Sequence, residues 1–156
     1  MSLKVPRVID YSKSIIYKLC CKNPLITDIY IGSTTNFKNR KNKHKTNCYN
    51  NSEKNKSYNY YIYKFIRDNG GWYNWDMIMI EEYSCENKTQ LHTRERYYIE
   101  LFKSSLNSEI PTRTKQEYTL ENIDKVKEYQ KQYRLENNNK LKAYHKQYFR
   151  KKKKNL

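Results

Sequence analysis

The sequence changes character after Pro111, and this change limits where a folded core can form. Both tryptophans, all three glycines and all three prolines lie before residue 112. Residues 112–156 hold 14 Lys and Arg against 5 Asp and Glu, a net charge of +9, whereas residues 1–111 hold 18 against 11, a net charge of +7. The sequence therefore predicts an N-terminal extension over residues 1–13, one folded domain over residues 14–112 and a basic arm over residues 113–156.

The formal charge of the whole chain, +16, indicates a polyanionic partner. A chain that repels itself this strongly gains free energy when it neutralises phosphates, which argues against an ordinary neutral enzyme for small apolar substrates. Hydrophobic residues make up only 37% of the chain, and 17 residues are tyrosines. The core of the domain must therefore include tyrosine rings, whose hydroxyl groups need hydrogen-bond partners when buried.

Other features of the sequence exclude whole classes of protein. No stretch approaches the 18 apolar residues of a membrane span, and the first ten residues lack the apolar segment of a secretory signal. We therefore expect an intracellular protein of the cytoplasm or nucleus, not secreted and without a membrane partner. The four cysteines show no CxxC spacing, so free thiols are expected rather than a zinc site.

The arm contains an internal repeat of 15 residues. Residues 125–133 (KVKEYQKQY) return as residues 140–148 (KLKAYHKQY). On a helix, Tyr129 and Tyr133 share a face, as do Tyr144 and Tyr148. Few apolar residues support such helices, so the arm is predicted to be helical or partly disordered, with a break at residues 137–139 (NNN) and more helix on a partner. The interleaved Tyr and Lys favour an arm that binds DNA; a solvated tail, or a helix that packs against a second copy, is the alternative.

The hydrophobic pattern of the domain predicts strands over residues 14–20, 28–32 and 75–83. Helices are predicted over residues 37–47, 58–68 and 89–103, with N-cap residues before the first and Gly70-Gly71 after the second. Three strands and three helices in this order predict a small α/β (α+β) domain.

Short motifs along the domain match one family in their order and spacing. They are Ser14-Ile15-Ile16-Tyr17, Tyr30-Ile31-Gly32-Ser33, Arg40 with His44, residues 70–75 (GGWYNW), residues 94–100 (RERYYIE) and Leu106-Asn107. Together they resemble the nuclease domain of the GIY-YIG superfamily, although Ile15 stands where that family usually has Gly. The resemblance implies a short, mainly three-stranded antiparallel sheet flanked by helices. It also implies a metal-dependent DNA endonuclease of the homing or mobile-element type, acting as a monomer or a transient dimer on DNA.

The resemblance also assigns roles to residues. It implies that Tyr17 or Tyr30, with Tyr17 preferred, positions or deprotonates the attacking water, for which nearby cations must lower the pKa of the phenol. Glu95 would hold one Mg²⁺ or another divalent cation such as Mn²⁺, completed by waters and a phosphate oxygen. Asn107 would be a supporting hydrogen-bond group.

Arg40 and His44 are four residues apart on a predicted helix, so both side chains can face one phosphate. The guanidinium would stabilise charge on the phosphate, and His44 would relay or accept a proton near neutral pH. The plainer interpretations are core filling for Tyr17 and Tyr30, a solvated face for Arg40 and His44, and a surface ion pair for Glu95 with its arginine neighbours. Three further side chains are expected only to be solvated or surface charges: Glu81, His92 and His145.

Basic residues on the first helix and in the arm are predicted to contact nucleic acid: Lys41, Lys43, Lys45, Lys131, Arg134, Lys146 and Arg150. The leading hypothesis is an endonuclease that cuts one DNA strand per active site. A non-catalytic nucleic-acid-binding protein on a decayed nuclease domain, and a restriction-type or branched-structure nuclease, are the alternatives.

Overall fold

The computed structural model describes residues 8–154, with side chains described for residues 8–148. The chain divides between Thr112 and Arg113 into two compact units. The first seven residues of the predicted N-terminal extension lie outside the described residues. In the rest of that extension, Tyr11 packs against one of the two cores of the first unit.

Three antiparallel strands form the sheet of the first unit, in the order β2-β1-β3: β1 (Ile15–Cys21), β2 (Ile29–Thr34) and β3 (Trp75–Glu82). Tyr17 pairs with Gly32 and Leu19 pairs with Tyr30 across β1 and β2. Because side chains alternate along a strand, both tyrosines lie on the same face of the sheet. The predicted three-stranded antiparallel sheet with flanking helices is confirmed.

The helices of this unit are α1 (Phe37–Tyr49), α2 (Tyr61–Asp68) and α3 (Lys88–Leu101). Asn36 and Asn87 cap the first turns of α1 and α3 with their side-chain oxygens. The prediction that the second helix begins at residue 58 was wrong, because a 3-10 turn over Lys56–Asn59 comes first. Tyr60 then has an extended backbone conformation, so α2 begins only at the next residue.

Two buried clusters hold the sheet between helices. The first contains Tyr17 and Leu19 together with Cys48 of α1 and Ile62 and Ile66 of α2. The second, on the opposite face, contains four buried residues: Ile16 and Ile31 from the strands, and Leu91 and Ile99 from α3. The sheet thus presents Tyr17 and Tyr30 toward α1 and α2.

The second unit consists of α4 (Lys115–Glu121) and α5 (Ile123–Lys154). The predicted break at residues 137–139 was wrong, since α5 continues through them. Each Asn costs a helix less than about 0.7 kcal/mol relative to Ala, and the surrounding Leu, Glu and Lys favour helix. Asn137 also donates from Nδ2 to the carbonyl oxygen of Tyr133 within the helix. None of the arm side chains that the structure describes is buried.

The structure also bears on membrane-spanning helices and on the cysteines. Within residues 8–154, no helix is long and apolar enough to cross a membrane. All four cysteines are free thiols, as expected.

Candidate active site

Gly32 lets the Tyr17 hydroxyl group lie against the backbone of β2. A Cβ atom at position 32 would stand 2.5 Å from Tyr17 Oη and 2.9 Å from Tyr30 Cε1, distances that real Cβ atoms do not show. The glycine of the Tyr-Ile-Gly motif is therefore needed for close approach. It leaves space for two tyrosine rings, whose centroids lie 6.4 Å apart.

Helix α1 brings two side chains onto the Tyr17 hydroxyl. Arg40 Nε donates a hydrogen bond of 2.8 Å to Tyr17 Oη, and His44 Nε2 lies 2.9 Å from the same oxygen. Because Arg40 and His44 are one helical turn apart, both reach the same phenol. Tyr17 and His44 are fully buried, so this polar cluster is shielded from solvent.

Two residues that the sequence did not single out continue the cluster. Tyr63 Oη lies 2.9 Å from His44 Nδ1, and Asn47 Nδ2 donates to Tyr63 Oη at 3.1 Å. The indole of Trp72 stacks on the His44 ring with an interplanar angle of 12°. Asn47 follows His44 by three residues on α1, a spacing that could have indicated it. No comparable spacing distinguishes Tyr63 from the other tyrosines among the 17 of the chain.

Burial dominates the titration of this cluster. It lowers the pKa of His44 to about 3, with a further contribution from Arg40 and Lys43, so the imidazole is neutral near pH 7. Burial also raises the pKa of Tyr17 well above its ordinary value, and the Arg40 cation offsets this only in part. The expectation that nearby cations lower the pKa of this phenol was therefore wrong for this structure. The net effect on Arg40 is a raised pKa, because Tyr17 and Tyr30 outweigh its own burial.

Glu95 of α3 lies beside β2 and is not paired with its arginine neighbours. Ser33 Oγ donates a hydrogen bond of 2.5 Å to Glu95 Oε2. Burial raises the pKa of Glu95, opposed by the Ser33 hydrogen bond and by the charges of His92 and Arg40. The flanking arginines form ion pairs with other carboxylates: Arg94 with Glu81, and Arg96 with Glu100. Glu81, predicted to be only a surface charge, accepts two hydrogen bonds from Arg94.

One cavity of about 730 Å³ joins these groups. Its lining includes Tyr30, Arg40, Lys43, His44, His92 and Glu95. Tyr17 is not part of the lining and lies behind it. His92 was expected to be solvated, but it is half-buried in this cavity, one helical turn before Glu95. The spacing of three residues between His92 and Glu95 on α3 could have indicated that both side chains face the same cavity.

Asn107 fastens the segment after α3 to the free edge of β2. Its Nδ2 donates to the carbonyl oxygen of Ile31, and its Oδ1 accepts from the Ile31 N–H and from Ser104 Oγ. The segment 104–107 thereby pairs with β2 in place of a fourth strand. The Asn107 amide thus makes three hydrogen bonds within the protein.

The donor set fits a cation held through a single carboxylate. Among the residues that the structure describes, no three His, Cys, Asp or Glu side chains are grouped to enclose a metal ion. Glu95 places one half-buried carboxylate in the lining of the cavity. A hard cation that keeps most of its waters and also binds substrate oxygens suits such a site.

The basic residues predicted to contact nucleic acid lie in different surroundings. Lys43 lines the cavity, Lys45 lies with its Nζ 5.0 Å from the centre of the Tyr73 ring, and Lys41 is exposed. In the arm, Lys131 and Arg134 line one shallow groove along α5, and Lys146 is exposed. The side chain of Arg150 lies outside the described residues.

Tyr30, Arg40 and Glu95 line one cavity beside a three-stranded antiparallel sheet, with Tyr17 behind them, and this mixed α/β fold is consistent with a GIY-YIG domain. The family model described as the GIY-YIG catalytic domain matches residues 13–109, and the chain belongs to this family. Membership supports a nuclease-type function with DNA as the substrate. A search of curated proteins and a search of solved structures gave no match.

Proposed function

We propose that this protein is a divalent-metal-dependent DNA endonuclease of the homing or mobile-element type that cuts one strand per active site. The observation that supports this most is the convergence of Tyr30, Arg40 and Glu95, from three different elements, on one cavity. With one such site per chain, a double-strand break would need two molecules or two successive events on DNA.

Arg40 is the group that binds the scissile phosphate. Its Nε is occupied by Tyr17, which fixes the plane of the guanidinium. The terminal amino groups carry further N–H donors in a rigid fork that matches phosphate oxygens. Charge that develops on the phosphate in the transition state is therefore stabilised by a cation whose position is set by the fold.

Tyr17 is the general base in this proposal. It has both a cation and a proton acceptor on its oxygen, because Arg40 Nε donates to it and His44 Nε2 lies within hydrogen-bonding distance. Tyr17 lies behind the cavity lining in this structure, so the side chains over it must open a path for the attacking water when DNA binds, while Arg40 Nε keeps its bond to the phenol. Catalytic hydrogen bonds commonly reach their final geometry only with substrate present. Tyr30 lines the cavity and contacts the water or the phosphate directly.

Comparison of Tyr17→Phe with Tyr30→Phe tests this assignment. If Tyr17 is the base, its loss lowers the cleavage rate by about 100-fold or more, as for other general bases, and the loss of the Tyr30 hydroxyl costs less. The opposite ranking would transfer the role of base to Tyr30. Both rates are measured at saturating DNA so that binding does not contribute.

Glu95 would hold the divalent cation, Mg²⁺ or Mn²⁺, through its carboxylate. When bound there, the cation would neutralise charge on the phosphate and assist the leaving oxygen. The Ser33 hydroxyl and the position of Glu95 on α3 keep the carboxylate directed into the cavity without the metal.

Plasmid nicking with matched glutamate variants tests the function. We expect the parent protein to nick supercoiled plasmid in Mg²⁺ but not in EDTA, and Glu95→Gln to abolish nicking while DNA binding in EDTA persists. Glu100→Gln, an exposed carboxylate on the same helix, is the control and should cleave like the parent. Equal nicking by Glu95→Gln and the parent would remove Glu95 from the mechanism. Binding without cleavage by the parent, in Mg²⁺ and in Mn²⁺, would instead favour a non-catalytic DNA-binding protein.

A panel of linear, nicked, flapped and four-way DNAs then separates the members of the superfamily. Preferred cleavage of one linear sequence would support the homing type. Preferred cleavage of flapped or four-way DNA, independent of sequence, would support a branched-structure nuclease.

We also propose that the arm increases DNA affinity. Lys131 and Arg134 lie on one face of α5, in a region of net charge +9. Replacing both by Gln in the full-length chain should weaken binding and reduce the dependence of affinity on salt by up to about two phosphate contacts. Deletion of residues 113–156 should have a larger effect while slow cleavage continues. An unchanged salt dependence in both variants would show that the arm does not contact DNA.

A further inference from the structure

The hydroxyl proton of Tyr17 has a single acceptor. Tyr17 is fully buried, and among the residues that the structure describes its oxygen has two hydrogen-bond partners, Arg40 Nε and His44 Nε2. Arginine remains protonated in proteins and can only donate. The Tyr17 proton must therefore point to His44 Nε2, because no solvent reaches the phenol.

This requirement fixes the tautomer of His44. A neutral imidazole has one N–H donor and one acceptor nitrogen, so an accepting Nε2 leaves the proton on Nδ1. Nδ1 lies 2.9 Å from Tyr63 Oη, which therefore accepts from His44. It accepts a second hydrogen bond from Asn47 Nδ2. Both donors direct the remaining hydrogen of the Tyr63 hydroxyl away from themselves, and Tyr63 lines the cavity.

We propose that Tyr63 is a positioning residue for the reaction, which accepts the hydrogen bond from His44 Nδ1–H and carries the Tyr17 proton to the cavity. The proposal rests on the proposed function, in which Tyr17 is the base. Three proton shifts occur in one direction: from Tyr17 Oη to His44 Nε2, from His44 Nδ1 to Tyr63 Oη, and from Tyr63 Oη to a water molecule of the cavity. Three O–H or N–H bonds break and three form, and Tyr17 is left as the phenolate.

Asn47 supports this arrangement from α1. Because the Asn47 amide and the His44 Nδ1–H both donate to Tyr63 Oη, they hold that oxygen as an acceptor. The phenolate formed at Tyr17 then accepts two hydrogen bonds, one from Arg40 Nε and one from the new N–H at His44 Nε2. His44 is neutral before and after the transfer and differs only in tautomer.

A neutral relay agrees with the charges around His44. The titratable and charged groups that face it come from every element packed against it: Tyr17 of β1, Tyr30 of β2, Arg40 and Lys43 of α1 and Tyr63 of α2. Glu95 of α3 acts on the same phenols from across the cavity. Burial and two nearby cations disfavour an imidazolium and hold the pKa of His44 at about 3. A mechanism that needs a positively charged His44 near pH 7 would oppose both effects.

Tyr63→Phe removes the relay hydroxyl and keeps the ring. At pH 7 and saturating DNA, we expect the cleavage rate to fall by about 10-fold to 100-fold. We expect DNA binding in EDTA to stay at the parent value, and the rising limb of the pH–rate profile to move to higher pH. Tyr97→Phe is the control, because it removes a hydroxyl group from a ring that is 48% exposed and is not part of the cavity lining, and it should retain the parent rate. A parent rate and a parent pH profile in Tyr63→Phe would overturn the proposal.

Asn47→Ala provides a second variant that leaves the Tyr63 ring and hydroxyl in place. We expect it to lower the cleavage rate by less than Tyr63→Phe and to shift the pH profile in the same direction. If Tyr63→Phe does not fold, an unchanged rate in Asn47→Ala would count against the relay.

The tautomer of His44 can be measured without any nuclease assay. Nitrogen-15 NMR distinguishes the two neutral tautomers, and the chain has only three histidines, so His44→Gln identifies the signal. We expect the Nδ1–H form in the parent and also in Tyr63→Phe, because the Tyr17 hydroxyl requires an accepting Nε2 in both proteins. An Nε2–H form in the parent would refute the relay even if the protein cleaves DNA. The Nδ1–H form in a protein that cleaves no DNA would refute the proposed function and leave the hydrogen-bond assignment standing.

Discussion

The two units use the same residue type, tyrosine, in opposite ways. In the first unit, Tyr17 and Tyr63 are buried, and each hydroxyl is shared between two side chains. In the arm, Tyr129 and Tyr133 are 70% and 47% exposed, and their rings stack on each other one helical turn apart. Tyr144 repeats this arrangement with Tyr148, as the 15-residue repeat predicts.

Asparagine shows the same contrast. Asn107 makes hydrogen bonds to a backbone segment 76 residues away. Asn137 bonds to the carbonyl oxygen of its own preceding turn. Asn107 of the first unit thus joins segments that are distant in sequence, whereas Asn137 of the arm acts within one helix. Substitution of such side chains should therefore lower the free energy of unfolding more in the first unit than in the arm.

The largest effect is expected from Gly32→Ala. A methyl group at this position meets Tyr17 Oη at 2.5 Å, so the phenol must move away from Arg40 and His44. We expect the cleavage rate to fall by about 100-fold or more, because the groups that stabilise the phosphate lose their alignment. Overpacking of this kind also lowers the free energy of unfolding by about 1–3 kcal/mol.

The double variant Gly32→Ala with Tyr17→Phe checks this cause. Removal of the Tyr17 hydroxyl deletes the nearest clashing atom, so the two changes should destabilise the protein by less than the sum of the single changes. Urea unfolding of the four proteins measures this coupling. Strict additivity would show that the clash with Tyr17 is not what makes glycine necessary.

Asn107→Ala should lower the free energy of unfolding by about 2–3 kcal/mol. The variant leaves the N–H and the carbonyl oxygen of Ile31 without their partners at the edge of the sheet, and unsatisfied backbone groups cost about 1–3 kcal/mol each. Urea unfolding measures the change. A loss below about 0.5 kcal/mol would mean that water replaces the amide at this edge and that the segment 104–107 is not needed to hold β2.

His44 should make the first unit less stable in acid. Its pKa is about 3 in the folded chain against an ordinary value of 6.5, so only the unfolded chain binds a proton there between these values. Stability is therefore complete above pH 6.5 and is lost as the pH falls, by about 2 kcal/mol at pH 5. Urea unfolding at pH 7 and pH 5 tests this. Glu95, whose pKa is raised above its ordinary value, contributes with the opposite sign as the pH falls through its folded pKa, so the His44 contribution is taken from the difference between the parent and His44→Gln.

Two variants test whether His44 causes the loss of stability between pH 7 and pH 5. His145 lies in the arm, so His145→Gln should retain the full dependence of stability on pH. His44→Gln removes the buried imidazole and should reduce this dependence. If both variants keep the parent dependence, the buried histidine is not responsible for the acid sensitivity.

What the sequence could predict was local. That Arg40 shares a helix face with His44, and Tyr129 with Tyr133, follows from helical spacing alone. The order of strands and helices follows from hydrophobic periodicity. These features need no knowledge of which segments meet in space.

What the sequence could not predict depends on segments that are distant in the chain. Tyr63 meets His44 only because α2 packs on α1, and nothing in its neighbourhood distinguishes it from the other tyrosines. The direction of the pKa shift at Tyr17 depends on a balance between burial and the Arg40 charge, and burial can be read only from the folded structure. The false break at residues 137–139 has another cause: a weak propensity was taken as decisive where its neighbours outweigh it.

The smallest effect, and one of opposite sign, is expected from Asn139→Ala. Asn139 is exposed in the middle of α5, where alanine favours the helix by about 0.5 kcal/mol more than asparagine does. The same substitution that weakens the first unit at Asn107 should therefore strengthen the helix of the arm. Hydrogen exchange of the arm amides in the full-length chain measures this, with about two-fold slower exchange expected around position 139. Faster exchange would show that Asn139 makes a contact that stabilises the helix. Asparagine would then stabilise both units, and the proposed difference between them would be wrong.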